Sequence, residues 1–328
     1  MLSRVADSLY WINRYVERAE NLSRFVEVSE AMALDCPPGS AEPWLPLIDA
    51  SGDRDLFDEL VPGASSPQDV MQFLVREPNN PSSIVNCIAI ARENARQIRE
   101  VITTEMWEQL NDMYWTLQES ESFWQQPHQE QLRDIRRACQ LFYGITDATL
   151  SRDLSWHFSR LGRLLERADK TTRILDVKYF LLLPSPDEVG GVLDELQWIS
   201  LLRSAGAYQM FRQSLQQAIE PKAVAAFLLL NPIFPRSVRY CLERLSETLR
   251  IIRGSSLPGA PDDLECLSGL TLARWSYTRI DELIAGGLHE SIDALQSDLN
   301  QLHDLIEQRY FVASNADPIS SYPACALA

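Results

Sequence analysis

Residues 9–26 read LYWINRYVERAENLSRFV, and their apolar positions recur with a helical period. At about 100° per residue, Leu9, Ile12, Val16, Ala19 and Val26 share one face, while Arg14, Glu17, Arg18, Asn21 and Arg24 gather on the other. Residues 158–175, FSRLGRLLERADKTTRIL, repeat that division. Leu161, Leu164, Leu165, Ala168 and Leu175 form the apolar side, and Arg163, Glu166, Arg167, Lys170 and Arg173 lie opposite. Arg14, Glu17, Arg18, Ala19 and Arg24 thus recur in register as Arg163, Glu166, Arg167, Ala168 and Arg173, so the repeat keeps a polar face as well as a core face.

The same periodicity predicts helices along the whole chain. A long one over 3–34 is closed by Pro37-Pro38-Gly39, and short ones follow over 44–50, 54–60 and 68–75, the last with Ser66-Pro67 as N-cap and first-turn proline. After the break at Pro78 to Pro81, helices are expected over 82–102, 105–124 and 129–150. A second long helix runs over 153–182 and is stopped by Pro184 and Pro186. From there the chain echoes its first half at an offset of 154 residues: Trp44 aligns with Trp198, and residues 70–99 match 224–253 at eleven of thirty ungapped positions, among them Cys87 with Cys241. Helices over 262–285 and 288–311, separated by Gly286-Gly287, complete the pattern, and 313–328 reads as a flexible tail. No segment alternates with period two, so the expected fold is all-α. It is one helical bundle over residues 1–312, built from duplicated halves at about 3–150 and 153–312 related by a pseudo-twofold.

Composition narrows the partners. A chain of 328 residues that is 45% apolar can bury a substantial core. Its net charge of −16 argues against nucleic acid or an anionic membrane as a general partner. Only Lys170, Lys178 and Lys222 among the 30 basic residues are lysines, so the positive charge sits on guanidiniums, which grip carboxylates and phosphates bidentately, a bias that a GC-rich genome would equally produce. Cys36, Cys87, Cys139, Cys241, Cys266 and Cys325 form no Cys-x-x-Cys pair, which suits a reducing cytoplasm. The N-terminus lacks a signal-like apolar run, and the apolar runs 180–183 and 223–230 are too short to span a bilayer.

The candidate chemistry lies on the repeated charged faces. Arg14-x-x-Glu17-Arg18 and Arg163-x-x-Glu166-Arg167 fit three arrangements. They are solvated faces laced by local ion pairs, a buried network in which each Glu bridges arginines across the repeat interface, or a cleft. In the cleft, Arg14, Arg18, Arg24, Arg163, Arg167 and Arg173 would hold an anion, and Glu17 or Glu166 would orient it or act as a catalytic base. A second polar concentration, Arg92, Glu93, Asn94, Arg96 and Arg99, is partly kept as Glu247, Arg250 and Arg253, so any site there would be asymmetric and richer in the first half. Metal ligation finds no support: His128, His157, His289 and His303 supply no Glu-x-x-His, and His303 with Glu307 reads as a surface contact. Gly-x-Gly-x-x-Gly, Gly-Lys phosphate loops, Gly-x-Ser-x-Gly and Ser-x-x-Lys are absent, so no cofactor is expected. Tyr10, Trp11, Tyr15, Trp107, Tyr114 and Trp115 read as core.

The opening MLSRVADSLYWINRYVERAENLSRF and the later LGRLLERAD resemble the bacterial alpha-E proteins, all-helical proteins named for a shared Glu-Arg motif, over nearly the whole chain. In that family the ARENAR-like run at 91–96 is a second hallmark. The resemblance implies work beside other proteins: a circularly permuted ATP-grasp protein, often with a transglutaminase-like protein nearby, in systems that form or modify amide bonds. On this reading the chain is a non-nucleotide-binding subunit presenting its Arg and Glu face to the partner or to a carboxylate substrate. The alternatives are an enzyme with an acid-base Glu in the inter-repeat cleft and a scaffold cemented by its Glu-Arg pairs.

Overall fold

A computed structural model describes residues 1–35, 44–63, 66–180, 191–215, 219–254 and 261–312. Within them the chain is all-helical, with no strand. The first part comprises α1 (Ser3–Asp35), α2 (Leu45–Ser51), α3 (Arg54–Leu60), α4 (Pro67–Val75), α5 (Ile84–Gln97), α6 (Thr104–Glu119), α7 (Glu121–Trp124) and α8 (His128–Thr149). The second comprises α9 (Leu154–Phe180), α10 (Val192–Ser204), α11 (Tyr208–Leu215), α12 (Pro221–Leu230), α13 (Val238–Arg253), α14 (Asp263–Tyr277), α15 (Ile280–Ala285) and α16 (Leu288–Ile306), which widens into a π-turn at Glu307–Phe311.

Local chemistry sets the boundaries. At α4 the Ser66 hydroxyl accepts from Asp69 N, the Asp69 carboxylate accepts from Ser66 N at 2.8 Å, and Pro67 occupies the first turn. Ser83 and Ser237 cap α5 and α13 just after Pro81 and Pro235, accepting from the amides of Asn86 and Tyr240. Three expected helices are shorter or divided. The 82–102 helix ends at Gln97 with Ile98 as its cap. The 105–124 helix breaks at Ser120, whose hydroxyl caps α7 instead, and the 262–285 helix breaks at Thr278-Arg279. In the first case the backbone turns back before Thr103 caps α6; in the second a hydroxyl competes for backbone donors. The expected stops at Pro37-Pro38-Gly39, Pro184 and Pro186, the helix end at 182, Cys36, Cys325 and the tail 313–328 lie outside the described residues.

The two long helices form the axis. α1 packs on α9, and each then takes its own neighbours, α5 and α8 around α1 and α13 and α16 around α9. α10 crosses over to α1 and α2 to α9. One continuous core runs through them, from Leu9, Ile12, Val16 and Phe25 on α1 to Phe158, Leu161, Leu165 and Leu175 on α9. Tyr10 joins that core as expected, and Trp11, Tyr15, Trp107 and Tyr114 pack against it half-buried, whereas Trp115 is 46% exposed. Among the described residues no helix is long and apolar enough to cross a membrane.

α1 and α9 approach closely because residue 162 is glycine. A Cβ there would lie 2.2 Å from the Tyr10 carbonyl oxygen, which only a backbone shift could relieve. Replacing Gly162 by Ala is therefore expected to destabilise the fold by about 1–3 kcal/mol, at the upper end because the obstacle is backbone. Urea unfolding of the variant against the parent chain measures this directly, and an unchanged midpoint would show that the helices slide apart freely.

Candidate functional site

The polar faces of α1 and α9 turn toward each other rather than to solvent. Glu166, with no exposed surface, accepts from Arg14 Nε at 2.8 Å and from Arg18 Nε and Nη2 at 2.7 and 3.1 Å. Glu17, equally buried, accepts from Arg167 Nε and Nη2 at 2.9 and 2.8 Å, from Arg236 Nη1 at 2.9 Å and from Asn21 Nδ2 at 3.2 Å. Each glutamate of the Glu-Arg motif is thus held by the arginine of the other copy. The contacts advance in the same order along both helices, from Tyr10 at Gly162 through Arg14 at Glu166 to Glu17 at Arg167. Of the three arrangements that fit the sequence, the molecule adopts the buried network.

Two residues outside the candidate set complete it. Glu20, also fully buried, accepts from Arg24 Nη2 at 2.5 Å and Gln140 Nε2 at 3.1 Å, and pairs with Arg236. Arg236 therefore joins Glu17, Glu20 and the Asn21 side-chain oxygen in one grip. Arg236 belongs to no charged periodic face: it precedes the Ser237 cap, so only its position after Pro235 marks it. Glu20 sits one turn beyond Glu17, on α1, where Asp169 stands at the matching position of α9.

Burial alone would raise the carboxyls of Glu17 and Glu166, but the guanidiniums outweigh it. Arg167 and Arg236 hold Glu17, and Arg18 and Arg14 hold Glu166, far below the usual carboxylate range. Glu20 is lowered in the same way, by Arg236 against burial. A carboxylate whose lone pairs are filled by arginines is a weak proton acceptor without access to substrate, which argues against Glu17 or Glu166 as a catalytic base.

The remaining candidates fall in three places. Arg163 stacks on Tyr143 with its guanidinium carbon 5.1 Å from the ring centroid, and burial and Arg167 push it below its ordinary value. Arg173 Nε is held by both oxygens of Asp169, at 3.0 and 2.9 Å, and Lys170 Nζ donates to the Ser51 carbonyl at 3.0 Å. Arg24 lies at the edge of the network, where it borders an open cleft between α1, α8, α10 and α11.

The 91–99 segment stands apart on α5 and the turn after it. Ala91 and Ala95 face the core, while Arg92 donates from Nε to Asn111 Oδ1 at 2.6 Å and sits 4.4 Å from the Tyr114 ring centroid, between Trp107 and Trp115. Arg99 covers the Trp107 ring at 4.7 Å. Glu93 and Arg96 form an exposed pair at 2.6 Å, and Asn94 donates to the Ile90 carbonyl. Trp107 and Tyr114 thus pack against the core with one side and, with the exposed Trp115, carry two arginines on the other.

His303 is not a surface partner of Glu307. Its Nδ1 lies 3.0 Å from the Tyr10 hydroxyl, which also accepts from Arg14 Nη1 at 3.3 Å, and burial together with Arg14 pushes its pKa down to about 4. Among the described residues, Asp176, His289 and Asp293 come within ligand distance of one another. His289 spends Nδ1 on Asp176 at 2.7 Å and Nε2 on Asp293 at 3.3 Å, an ordinary ion pair.

Two outcomes follow for stability. Glu166→Gln leaves Arg14 and Arg18 buried without a counter-charge and is expected to cost about 3–5 kcal/mol in urea unfolding, whereas Glu93→Gln at the exposed pair should leave the midpoint unchanged. Acid should act in two stages. The half-buried His303, with a folded pKa near 4 against 6.5 unfolded, costs nothing above pH 6.5 and destabilises as the pH falls toward 4. Carboxyls with depressed folded pKa contribute stability that is complete above their unfolded 4.5 and lost progressively below it. Urea midpoints from pH 7 to 3 should fall in both windows, and His303→Gln should flatten only the upper one.

A model of the Alpha-E family, described as a predicted alpha-helical domain with a conserved ER motif, matches residues 1–311. Uncharacterised proteins of Mycobacterium bovis and of two Mycobacterium tuberculosis strains are 22% identical over 316 residues, covering 89% of this chain and 34% of each relative. The chain thus spans about a third of the length of these curated relatives. No solved structure matches it. With its Glu-Arg pairs interlocked across α1 and α9, the chain belongs to the Alpha-E family.

Proposed function

We propose that the chain is a non-nucleotide-binding helical subunit of an ATP-grasp amide or peptide ligase system. In this reading the ATP-grasp partner activates a carboxylate, with a transglutaminase-like protein as a further neighbour, and this chain supplies a rigid arginine-rich surface. The observation that carries it is the internal use of the Glu-Arg motif: with Glu17 and Glu166 saturated by arginines, the motif fixes the fold, and outward recognition falls to other residues. The Arg92, Arg99, Trp107 and Trp115 platform beside the Glu93–Arg96 pair suits a protein partner, since arginine and tryptophan are the residues that anchor interfaces. The size of the mycobacterial relatives supports the same reading, because there the matched region is joined to further chain. The free thiols among the described residues, Cys87, Cys139, Cys241 and Cys266, suit work in a reducing cytoplasm.

The bundle is read as two duplicated halves about a pseudo-twofold. Reciprocal grips support this: α5 flanks α1 as α13 flanks α9, the Cys87 thiol points to the Pro81 carbonyl as that of Cys241 does to the Pro235 carbonyl, and Gly52 abuts Arg173 as Gly206 abuts Arg24.

Affinity capture of the tagged protein from its native host tests the subunit reading. An ATP-grasp chain is expected in stoichiometric amount, and Arg92→Ala combined with Arg99→Ala should release it while the thermal midpoint stays within about 2 °C. Elution of the chain alone would overturn the proposal.

A further inference from the structure

The cleft at the edge of the network has a volume of about 600 Å3, within the range of small-molecule sites. Its charged walls come from three helices: Arg24 on α1, Arg136 on α8 and Arg203 on α10, with Glu27 as the carboxylate among the described lining residues. Glu20 answers Arg24 from behind the wall and Glu27 answers Arg136, so Arg203 adds a guanidinium with no carboxylate of its own among the described residues.

Arg24 is held in place yet incompletely used. Its Nη2 donates to Glu20, but its Nε is buried without a partner among the described residues. The contrast with Arg173, its counterpart in the second Glu-Arg helix, is direct, for there Nε is filled by both oxygens of Asp169. The difference arises because Glu20 is shared with Arg236 and Gln140. Gly206, at φ +62°, lets the guanidinium lie flat against the α10–α11 turn, since a Cβ there would stand 3.3 Å from it.

Arg136 pairs with Glu27, and Arg203 has only the Tyr208 ring, 5.5 Å away, among the described residues. Burial and Arg236 push Arg24 below its ordinary value, and burial and Arg24 do the same to Arg136, as expected where positive charges crowd with too few counter-charges. Val28, Ala31 and Met32 supply an apolar wall, and Gln140, Gln209 and Ser200 supply amide and hydroxyl groups.

We infer that this cleft binds a ligand bearing at least two carboxylates on a short aliphatic and amide framework, such as an acidic peptide, with Arg24, Arg136 and Arg203 as its oxyanion donors. Guanidiniums at separate corners match separated carboxylates, and the apolar wall with its side-chain amides fits the stem and peptide bonds between them. The inference names the substrate class of the subunit reading and rests on it for the ligand's role, while the binding itself belongs to this chain alone.

Isothermal titration of the full chain at low salt with the dipeptide Glu-Glu, with Gln-Gln and with pyrophosphate provides the test. Glu-Glu is expected to bind saturably at one site, Gln-Gln not at all, and the exposed Arg203→Ala should weaken Glu-Glu at least tenfold while leaving the circular dichroism unchanged. Arg136→Gln should weaken it likewise. Absence of saturable Glu-Glu binding, or equal binding by Arg203→Ala, overturns the site. Tighter binding of pyrophosphate than of Glu-Glu overturns the carboxylate assignment in favour of phosphate. Arg203→Ala protein that still captures the ATP-grasp chain but no longer binds Glu-Glu separates the two readings. Glu-Glu binding by a chain that captures no partner leaves this site standing and removes only the subunit role.

Discussion

The grip of Arg14 and Arg18 on Glu166, answered by that of Arg167 and Arg236 on Glu17, ties the two longest helices together at the centre of the molecule. Hydrophobic contact alone would let α1 and α9 slide or rotate at modest cost, since volume-conserving repacking is well tolerated. A buried carboxylate has no such latitude. Once Glu166 and Glu17 leave water, each must find donors in one geometry, and that geometry exists in one register of the two helices. Gly162 closes the same register by letting the backbones touch near Tyr10. Apolar burial supplies most of the folding free energy, while the charged pairs select which packing is reached.

That selection has a chemical consequence. A motif of glutamate and arginine invites an acid-base or anion-binding reading, and both require unfilled valences. Here the carboxylates have none: Glu17 accepts from Arg167, Arg236 and Asn21, and Glu166 from Arg14 and Arg18. Among the described residues, buried guanidinium nitrogens without a partner include Nε of Arg24, beside the cleft, and Nε of Arg163, inside the bundle, while Arg92 and Arg99 lie on aromatic rings outside it. On the reading proposed above, recognition falls to residues other than the two saturated carboxylates.

How much of this was legible in the sequence follows from the range of each interaction. Helical period, prolines and serine caps are local signals, and they place α3, α4 and the cores of α1 and α9 closely. Breaks at Ser120 and Thr278 escaped because a hydroxyl or a short extended residue interrupts a helix without disturbing the apolar period across it. The Glu-Arg faces were visible as faces, but their partners were not, because a polar face packed on a second polar face has the same period as one turned to water. Repetition in the chain hinted that the two faces meet. Arg236 and His303 carried no such hint: each becomes part of the network through the path of the backbone, after Pro235 in one case and along α16 in the other.

The two Glu-Arg helices are also paired unequally. At the offset of 154 residues the position of Arg236 is occupied by Ser82, whose hydroxyl only accepts a bond from Arg18 at 3.4 Å. A guanidinium in place of that hydroxyl brings one more positive charge to the α1 side, where Glu20 must answer both Arg236 and Arg24. On the α9 side Asp169 answers Arg173 without such a competitor from the Ser82 position. Asp169 is also one methylene shorter than Glu20, so it stays with its own helix and closes on Arg173 Nε. Arg24 is thus left with an Nε that has no partner among the described residues, beside the turn at Gly206 and the cleft that Arg136 and Arg203 also line. An arginine at one position and a serine at the matching one are enough to leave the two corners of the buried network differently paired, with Arg173 Nε closed by Asp169 and Arg24 Nε unfilled.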